Sequence, residues 1–181
     1  MLWITIPEQQ LWNEIEEQFF IIPEKTIKLE HSLVSLAKWE SKWKKPFLDD
    51  KKDKTKEELL DYVRCMTLTQ NVDPIVYYGL TEDNLIAIKN YIDDPMTATW
   101  FSEEKNRKFE RKIITAEIIY YWMVAAQIPF ECEKWHLNRL ITLIRVCGEK
   151  NKPKKKMSSR DILSRNAKLN AARRAKLGSS G

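Results

Sequence analysis

The chain has 181 residues, of which 43% are hydrophobic and seven are tryptophan, so it can bury a core and is not a disordered polypeptide. Its net charge of +5 is unevenly placed: residues 150–181 hold eleven Lys or Arg against one acid, which gives a tail of +10 and a body of −5. The longest apolar run, residues 118–126, has nine residues, far short of the roughly 20 that cross a bilayer. The first residues lack the basic leader and apolar stretch of a signal peptide, and three scattered cysteines argue against a disulfide framework. We therefore expect a cytosolic protein in a reducing compartment, without a membrane partner.

Residues 1–31 have the period of β-strands. Apolar side chains occupy every second position in residues 2–6 and again in residues 27–29, which is typical of strands with one buried face. Pro7 and Pro23 fit strand ends or turns. The pattern predicts an antiparallel hairpin of two or three strands, which must pack on the rest of the chain or pair with another chain.

From residue 32 the period becomes helical. Three helix starts are marked by side chains that can accept a backbone N–H: Ser32, Thr55 and Thr81. Thr55 and Glu58 form the sequence pattern of a capping box. The second of these helices is predicted to place Leu59 on one face with Tyr62, Val63 and Met66. The third is predicted to point Leu85, Ile88 and Ile92 inward and to stop before Pro95.

Two more helices complete the predicted bundle. Residues 109–127 are apolar nearly all round in their second half, which indicates a central helix wrapped by others. Pro129 breaks that helix, and the next is predicted over residues 131–147 with Gly148 as its C-terminal cap. The fold class is therefore mainly α: the hairpin packs on a bundle of about five helices over residues 32–149.

The third region, residues 150–181, is basic. Lys152–Lys156 is an extended linker, and Ser158 can start a helix that reaches about Lys176 but has few apolar anchors. Seven basic side chains are candidate partner-binding residues: Lys154, Lys155, Lys156, Arg160, Arg165, Arg173 and Arg174. They suit nucleic-acid phosphates, an acidic surface on another protein, or a purely solubilising role. Interleaved aromatic residues are lacking, which weakens the case for single-stranded nucleic acid.

The sequence contains no pattern of a catalytic site. Its four glycines are too far apart to form a phosphate-binding loop in the body, which excludes Walker-type and dinucleotide-binding sites. The two histidines, His31 and His136, lie outside any nucleophile signature. We expect a protein that is not an enzyme and that uses no cofactor.

Cys132 and His136 are the one candidate metal pair. Their spacing places both side chains on one face of the predicted helix, and Cys147, Cys65 or His31 would have to complete a zinc site. A second close pair is missing, and isolated cysteines usually pack in the core. We therefore favour core packing over metal binding.

Trp39 and Trp43 lie one turn apart on the first predicted helix. An exposed pair would suit a partner, because tryptophan is enriched at interface hot spots. A buried pair would hold the helix to the bundle, since aromatic side chains also dominate core energetics. The core interpretation is favoured, and both residues stay candidate partner-binding residues.

Five blocks of the sequence resemble tail assembly chaperones of siphophages, the bacteriophages with long non-contractile tails. The blocks are HSLVSLAKWESKW (31–43), CMTLTQ (65–70), DPMTATW (94–100), PFECEKWHLNR (129–139) and LNAARRAKLG (169–178). The resemblance covers nearly the whole chain. It implies a non-catalytic protein that coats the long helical tape measure protein in the host cytoplasm before the tail tube polymerises. Such chaperones are absent from the mature virion, and this chain resembles their short form rather than the frameshifted longer one.

We also expect copies of the chain to associate with each other along such an array. An edge strand of the predicted hairpin offers a route to that association. Two other functions remain open: a virion structural or connector protein that stays in the particle, and a nucleic-acid-binding protein that acts through its tail.

Overall fold

The N-terminal strands and the helices after them are seen in a computed structural model, which describes residues 1–13, 17–49, 53–101, 113–151 and 158–178. The chain divides into two units, Met1–Gly148 and Glu149–Gly181. The described residues form a mainly helical fold with an antiparallel hairpin at the N-terminus, which confirms the predicted fold class.

Four strands build the hairpin: β1 (Leu2–Ile6), β2 (Gln9–Asn13), β3 (Gln18–Ile22) and β4 (Lys25–Leu29). β1 pairs with β4 and β2 with β3, both antiparallel, and Leu2 faces Leu29 while Gln9 faces Ile22. In both ladders the numbers of the two paired residues add up to 31, which means that the ladders share one register. The four strands therefore form one long hairpin, and each side of it has one break. Pro7 and Pro23 lie in these breaks, because proline has no amide to donate to a ladder.

The base of the hairpin, β1 and β4, has one buried face. Ile4, Ile6, Ile27 and Leu29 are buried there, as their alternation predicts. On the opposite face the Lys28 ammonium lies 5.2 Å from the Trp3 ring centroid. The base therefore belongs to the core of the first unit.

The described residues after the hairpin form six α-helices: α1 (Leu33–Trp43), α2 (Lys56–Met66), α3 (Glu82–Asp93), α4 (Ala116–Ala125), α5 (Leu137–Asn151) and α6 (Ser159–Leu177). Two 3-10 helices lie between them, at Pro74–Gly79 and Phe130–Lys134. Ser32, Thr55 and Thr81 each accept a hydrogen bond from the amide three residues later. The three predicted helix starts are confirmed, because a cap is a local interaction that the sequence specifies directly.

α4 is not the wrapped central helix that its composition predicts. Ala116, Ile119 and Met123 are buried, but Tyr121 is 69% exposed and Val124 also faces solvent. A run of apolar residues does not guarantee burial, because apolar atoms make up much of any protein surface. The first part of the predicted helix, residues 109–112, lies outside the described residues.

The prediction for α5 is wrong at both ends. The Leu137 amide donates to the His31 carbonyl oxygen at 2.7 Å, and Ser32 and His136 form an isolated antiparallel bridge. This tertiary pairing holds the chain extended just before Leu137, so residues 130–134 form a separate 3-10 helix. At the other end Gly148 lies inside α5 rather than capping it.

Replacing Gly148 with alanine should stabilise the protein. A Cβ atom at this position would meet nothing within 4 Å, and glycine in a helix costs about 0.5–1 kcal/mol relative to alanine. We expect Gly148→Ala to raise the unfolding free energy by about 0.5 kcal/mol in urea titrations followed by circular dichroism. A loss of stability would contradict this, because it would mean that Gly148 adopts a left-handed conformation that alanine disfavours.

α1 lies between two hydrophobic clusters. Trp39 belongs to the first cluster, with the hairpin base, α2, α3 and the 3-10 helix Pro74–Gly79. Leu33 and Leu36 belong to the second, with α4, α5 and Cys132. Phe47, just after α1, packs against both clusters. One helix therefore joins the two halves of the core.

Candidate functional site

The two tryptophans of α1 have different surroundings. Trp39 is 1% exposed, and its Nε1 donates to the Glu58 carbonyl oxygen at 2.8 Å. Trp43 is half-buried, and its Nε1 donates to Asp61 Oδ2 at 2.8 Å. The Trp39 ring is enclosed inside the first unit and cannot meet a partner in this conformation. This is the core arrangement that the sequence favours.

Part of the predicted basic site lies on α6. Arg160, Arg165, Arg173 and Arg174 are on this helix, whose side chains are all exposed, and Ser158 caps it as predicted. Successive residues of an α-helix are turned by 100°, so these four positions point to different sides. The structure therefore does not bring them together as one basic face. Lys154, Lys155 and Lys156 lie outside the described residues.

Cys132 and His136 do not share a helical face, because one lies in a 3-10 helix and the other precedes α5. Both are buried. Across the described ranges, no three His, Cys, Asp or Glu side chains converge in a way that would hold a metal ion.

His136 instead joins a buried polar network with His31, although the two residues are far apart in the sequence. Their ring centroids are 5.2 Å apart. The Tyr62 hydroxyl lies 2.6 Å from His31 Nδ1, and His136 Nε2 lies 2.9 Å from the Tyr91 carbonyl oxygen. The Tyr91 hydroxyl donates to Glu30 Oε1 at 2.7 Å. The network ties the end of the hairpin to α2, α3 and the start of α5.

Burial, and secondly the neighbouring His136, lowers the pKa of His31 to about 3. Burial raises the pKa of Tyr62 and of Tyr91, and the hydrogen bond to Glu30 adds to the effect on Tyr91. At neutral pH the His31 ring is therefore uncharged and can accept a hydrogen bond from the Tyr62 hydroxyl. The contact between His31 and Tyr62 is thus one between two uncharged side chains.

A groove of about 1160 Å³ lies between α2 and α3 in the first unit. We call it the α2–α3 groove. Its walls are Leu59, Leu60 and Val63 of α2 and Leu85, Ile88 and Ile92 of α3, and Tyr77, Tyr78 and Leu80 lie between them. α2 packs against α1 and α3 packs against β1, so the two apolar rows face a shared space.

The groove exposes side chains that the sequence pattern assigns to the core. Leu59 is 48% exposed and Leu85 is 46% exposed, so the prediction that Leu85 points inward is wrong. Exposed apolar surface that is grouped in one concavity is a sign of an interaction site. The sequence shows the apolar rows of α2 and α3, but it does not show whether another element of the fold covers them.

The rim of the groove is mainly basic. Four cationic residues line it, Lys54, Lys56, Arg64 and Lys89, together with two acids, Glu57 and Asp93. Within the part of the chain that the structure describes, none of the four cations forms an ion pair. The Arg64 guanidinium carbon lies 5.4 Å from the Tyr77 ring centroid, and its Nε is buried without a hydrogen-bond partner. The rim thus carries a net positive charge.

A second apolar surface lies on the hairpin arm, which we define as β2 and β3. Trp12, Phe19 and Ile21 are exposed on one face of the arm, and the Trp12 and Phe19 ring centroids are 4.9 Å apart. Among the described strands, β2 and β3 pair with each other alone. No other described strand therefore pairs with the outer edge of either β2 or β3.

No described helix combines the length and the apolar character needed to cross a membrane. Comparisons with protein-family models, with curated proteins and with solved structures found no match.

Proposed function

We propose that this chain is a non-catalytic tail assembly chaperone of a long-tailed bacteriophage, which binds the tape measure protein and keeps it soluble in the host cytoplasm. Two things support the proposal: the resemblance of five sequence blocks to that family, and the α2–α3 groove. The proposal rests chiefly on the groove, because a folded unit that leaves an apolar concavity open can bind an apolar segment of another polypeptide.

The physical task matches the surface. A tape measure protein is long and helical, and its apolar faces would aggregate if they met each other. A small protein with one apolar groove covers one stretch of such a partner. Many copies along the same partner bind far more strongly together than one copy binds alone, because each new copy meets a tethered neighbour.

Association between copies would strengthen this coat, and the hairpin arm is the surface for it. Its exposed Trp12 and Phe19 lie next to edges that can accept another strand. A two-stranded arm is marginally stable in water by itself, so pairing with a second copy would stabilise it. Light scattering at high concentration should then show species larger than the monomer.

The test of the proposed function is co-expression with the long helical protein encoded nearby in the phage genome. We expect this protein to pass from the insoluble to the soluble fraction and to co-purify with the chain. The control is co-expression with an unrelated helical protein of similar size, which should not solubilise the partner. An unchanged insoluble fraction would contradict the proposal, and detection of the chain in purified virions by mass spectrometry would favour a structural protein.

A nucleic-acid role rests on the exposed arginines of α6. If six phosphates are contacted, the affinity for DNA should fall roughly a thousandfold between 50 and 200 mM salt. The basic side chains surround α6 rather than forming one face, so we regard protein binding through the groove as the better supported function.

A further inference from the structure

We infer that the α2–α3 groove binds an amphipathic α-helix whose apolar face is flanked by carboxylates. The inference deepens the proposed function and rests on it for the source of the helix, which would be the tape measure protein. The type of ligand is set by the groove alone.

The walls of the groove determine that the ligand is helical. An extended peptide adds to a protein by pairing its backbone with free N–H and C=O groups of an edge strand. α2 and α3 form the two walls of this groove, and the backbone groups in the middle of a helix already bond to each other. A bound helix needs no such partners, because it satisfies its own backbone.

The size and the spacing of the apolar side chains also suit a helix. The groove volume of about 1160 Å³ exceeds the roughly 300–1,000 Å³ of a small-molecule pocket. Leu85, Ile88 and Ile92 recur at the three- and four-residue spacing of a helix surface, and such rows interlock with the rows of another helix. The groove therefore takes several side chains from one face of a polypeptide.

The rim determines the charge of that helix. Four cations against two acids leave a net positive rim. Carboxylates beside the apolar face of a ligand would be attracted to these cations, whereas ammonium or guanidinium groups there would be repelled. A helix of the α6 type has the opposite character, with six Lys or Arg against Asp161, so the tail of this chain is the wrong ligand.

The first experiment measures binding of designed helical peptides to the full chain. A labelled peptide of about 20 residues carries a leucine stripe flanked by glutamates, and its matched control carries lysines at the same flanking positions. In fluorescence anisotropy at low salt, we expect the glutamate peptide to bind about tenfold tighter than the lysine peptide. The difference should shrink as salt is added. A proline in the middle of the glutamate peptide should weaken its binding.

Variants of α3 place the binding in the groove. Leu85 lines the groove, whereas the neighbouring Ile86 is 57% exposed and does not. We expect Leu85→Gln to weaken binding of the glutamate peptide about tenfold, and Ile86→Gln to leave it unchanged. For charge, Lys89→Glu at the rim should weaken binding about threefold, and Lys134→Glu, outside the groove, should not. Thermal melts show whether each variant is folded.

Three results would overturn the inference. The first is that the lysine peptide binds as tightly as the glutamate peptide or more tightly. The second is that Leu85→Gln and Ile86→Gln weaken peptide binding equally. The third is that Leu85→Gln converts an oligomer to monomers in the absence of peptide, which would make the groove an interface between copies. The proposed function fails separately. If the peptide binds but the tape measure protein stays insoluble, the groove inference holds and the proposed function is wrong. If the Leu85→Gln and Lys89→Glu variants solubilise that protein as well as the original chain does, the proposed function holds and the groove inference is wrong.

Discussion

Replacing Trp39 with alanine should lower the unfolding free energy by about 3–5 kcal/mol, as expected for a fully buried tryptophan. The ring centroid lies 4.9 Å from that of Phe47 and 6.5 Å from that of Tyr62. The substitution also leaves the Glu58 carbonyl oxygen without the Nε1 donor. Small domains are stable by roughly 5–15 kcal/mol, so this one change would remove a large part of the total. Urea titration followed by circular dichroism at 25 °C measures the loss.

Two matched variants serve as controls. One separates the contribution of the Trp39 ring volume from that of its hydrogen bond, and the other measures the effect of removing a less buried tryptophan from the same helix. Trp39→Phe keeps most of the apolar volume and removes the donor, which should cost about 1–2 kcal/mol. Trp43→Ala removes a half-buried ring one turn away, with an expected loss also of about 1–2 kcal/mol. If Trp39→Ala were no more damaging than Trp43→Ala, α1 would not be held to the core through Trp39.

Local chemistry explains which parts of this fold the sequence predicts. The hairpin is indicated by alternating residues and by two prolines that interrupt the ladders at the same level. The starts of α1, α2 and α3 are indicated by Ser32, Thr55 and Thr81, whose side chains bond to amides three residues away. Such interactions need no information from distant parts of the chain.

The errors occur where distant contacts decide. The start of α5 depends on the bond from the Leu137 amide to the His31 carbonyl oxygen, a partner more than a hundred residues earlier. Gly148 has the composition of a helix end, but α5 continues through it to Asn151. α4 is apolar apart from Glu117, and the sequence cannot show which of its sides the second cluster covers.

The α2–α3 groove could not be predicted from the sequence, because it too depends on contacts between distant parts of the chain. Leu59 and Leu85 lie in apolar rows that are typical of core positions, and a row becomes a groove wall only when the opposite element packs elsewhere. The spacing of Trp39 and Trp43 is visible in the sequence, but it cannot show that one ring is enclosed and the other half-buried. The pairing of His31 with His136 has no local signal at all.

That pairing leads to a second large effect, which is a loss of stability in mild acid. His31 has a pKa of about 3 in the folded protein, where burial and His136 disfavour its charged form, against 6.5 as its ordinary value. Between these values the unfolded chain binds the proton and the folded chain does not. The stabilisation is therefore complete above pH 6.5 and declines as the pH falls. Each pH unit costs at most about 1.4 kcal/mol, which gives a loss of about 3 kcal/mol by pH 4.5.

Two carboxylates shape the same pH profile, and a His31 variant separates their effects from that of the imidazole. The hydrogen bond from Lys45 lowers the pKa of Glu58, so its contribution is lost only below its ordinary pKa of 4.5. Burial raises the pKa of Glu40, which opposes the loss by favouring the folded state as the pH falls toward 4.5.

His31→Gln cannot take up a proton at this position. We expect it to be less stable than the original protein at pH 8, because it loses ring contacts with Tyr62 and His136, but to lose less additional stability between pH 6.5 and 5. Urea titrations at a series of pH values measure both slopes, and equal slopes would mean that His31 does not remain neutral in the folded protein.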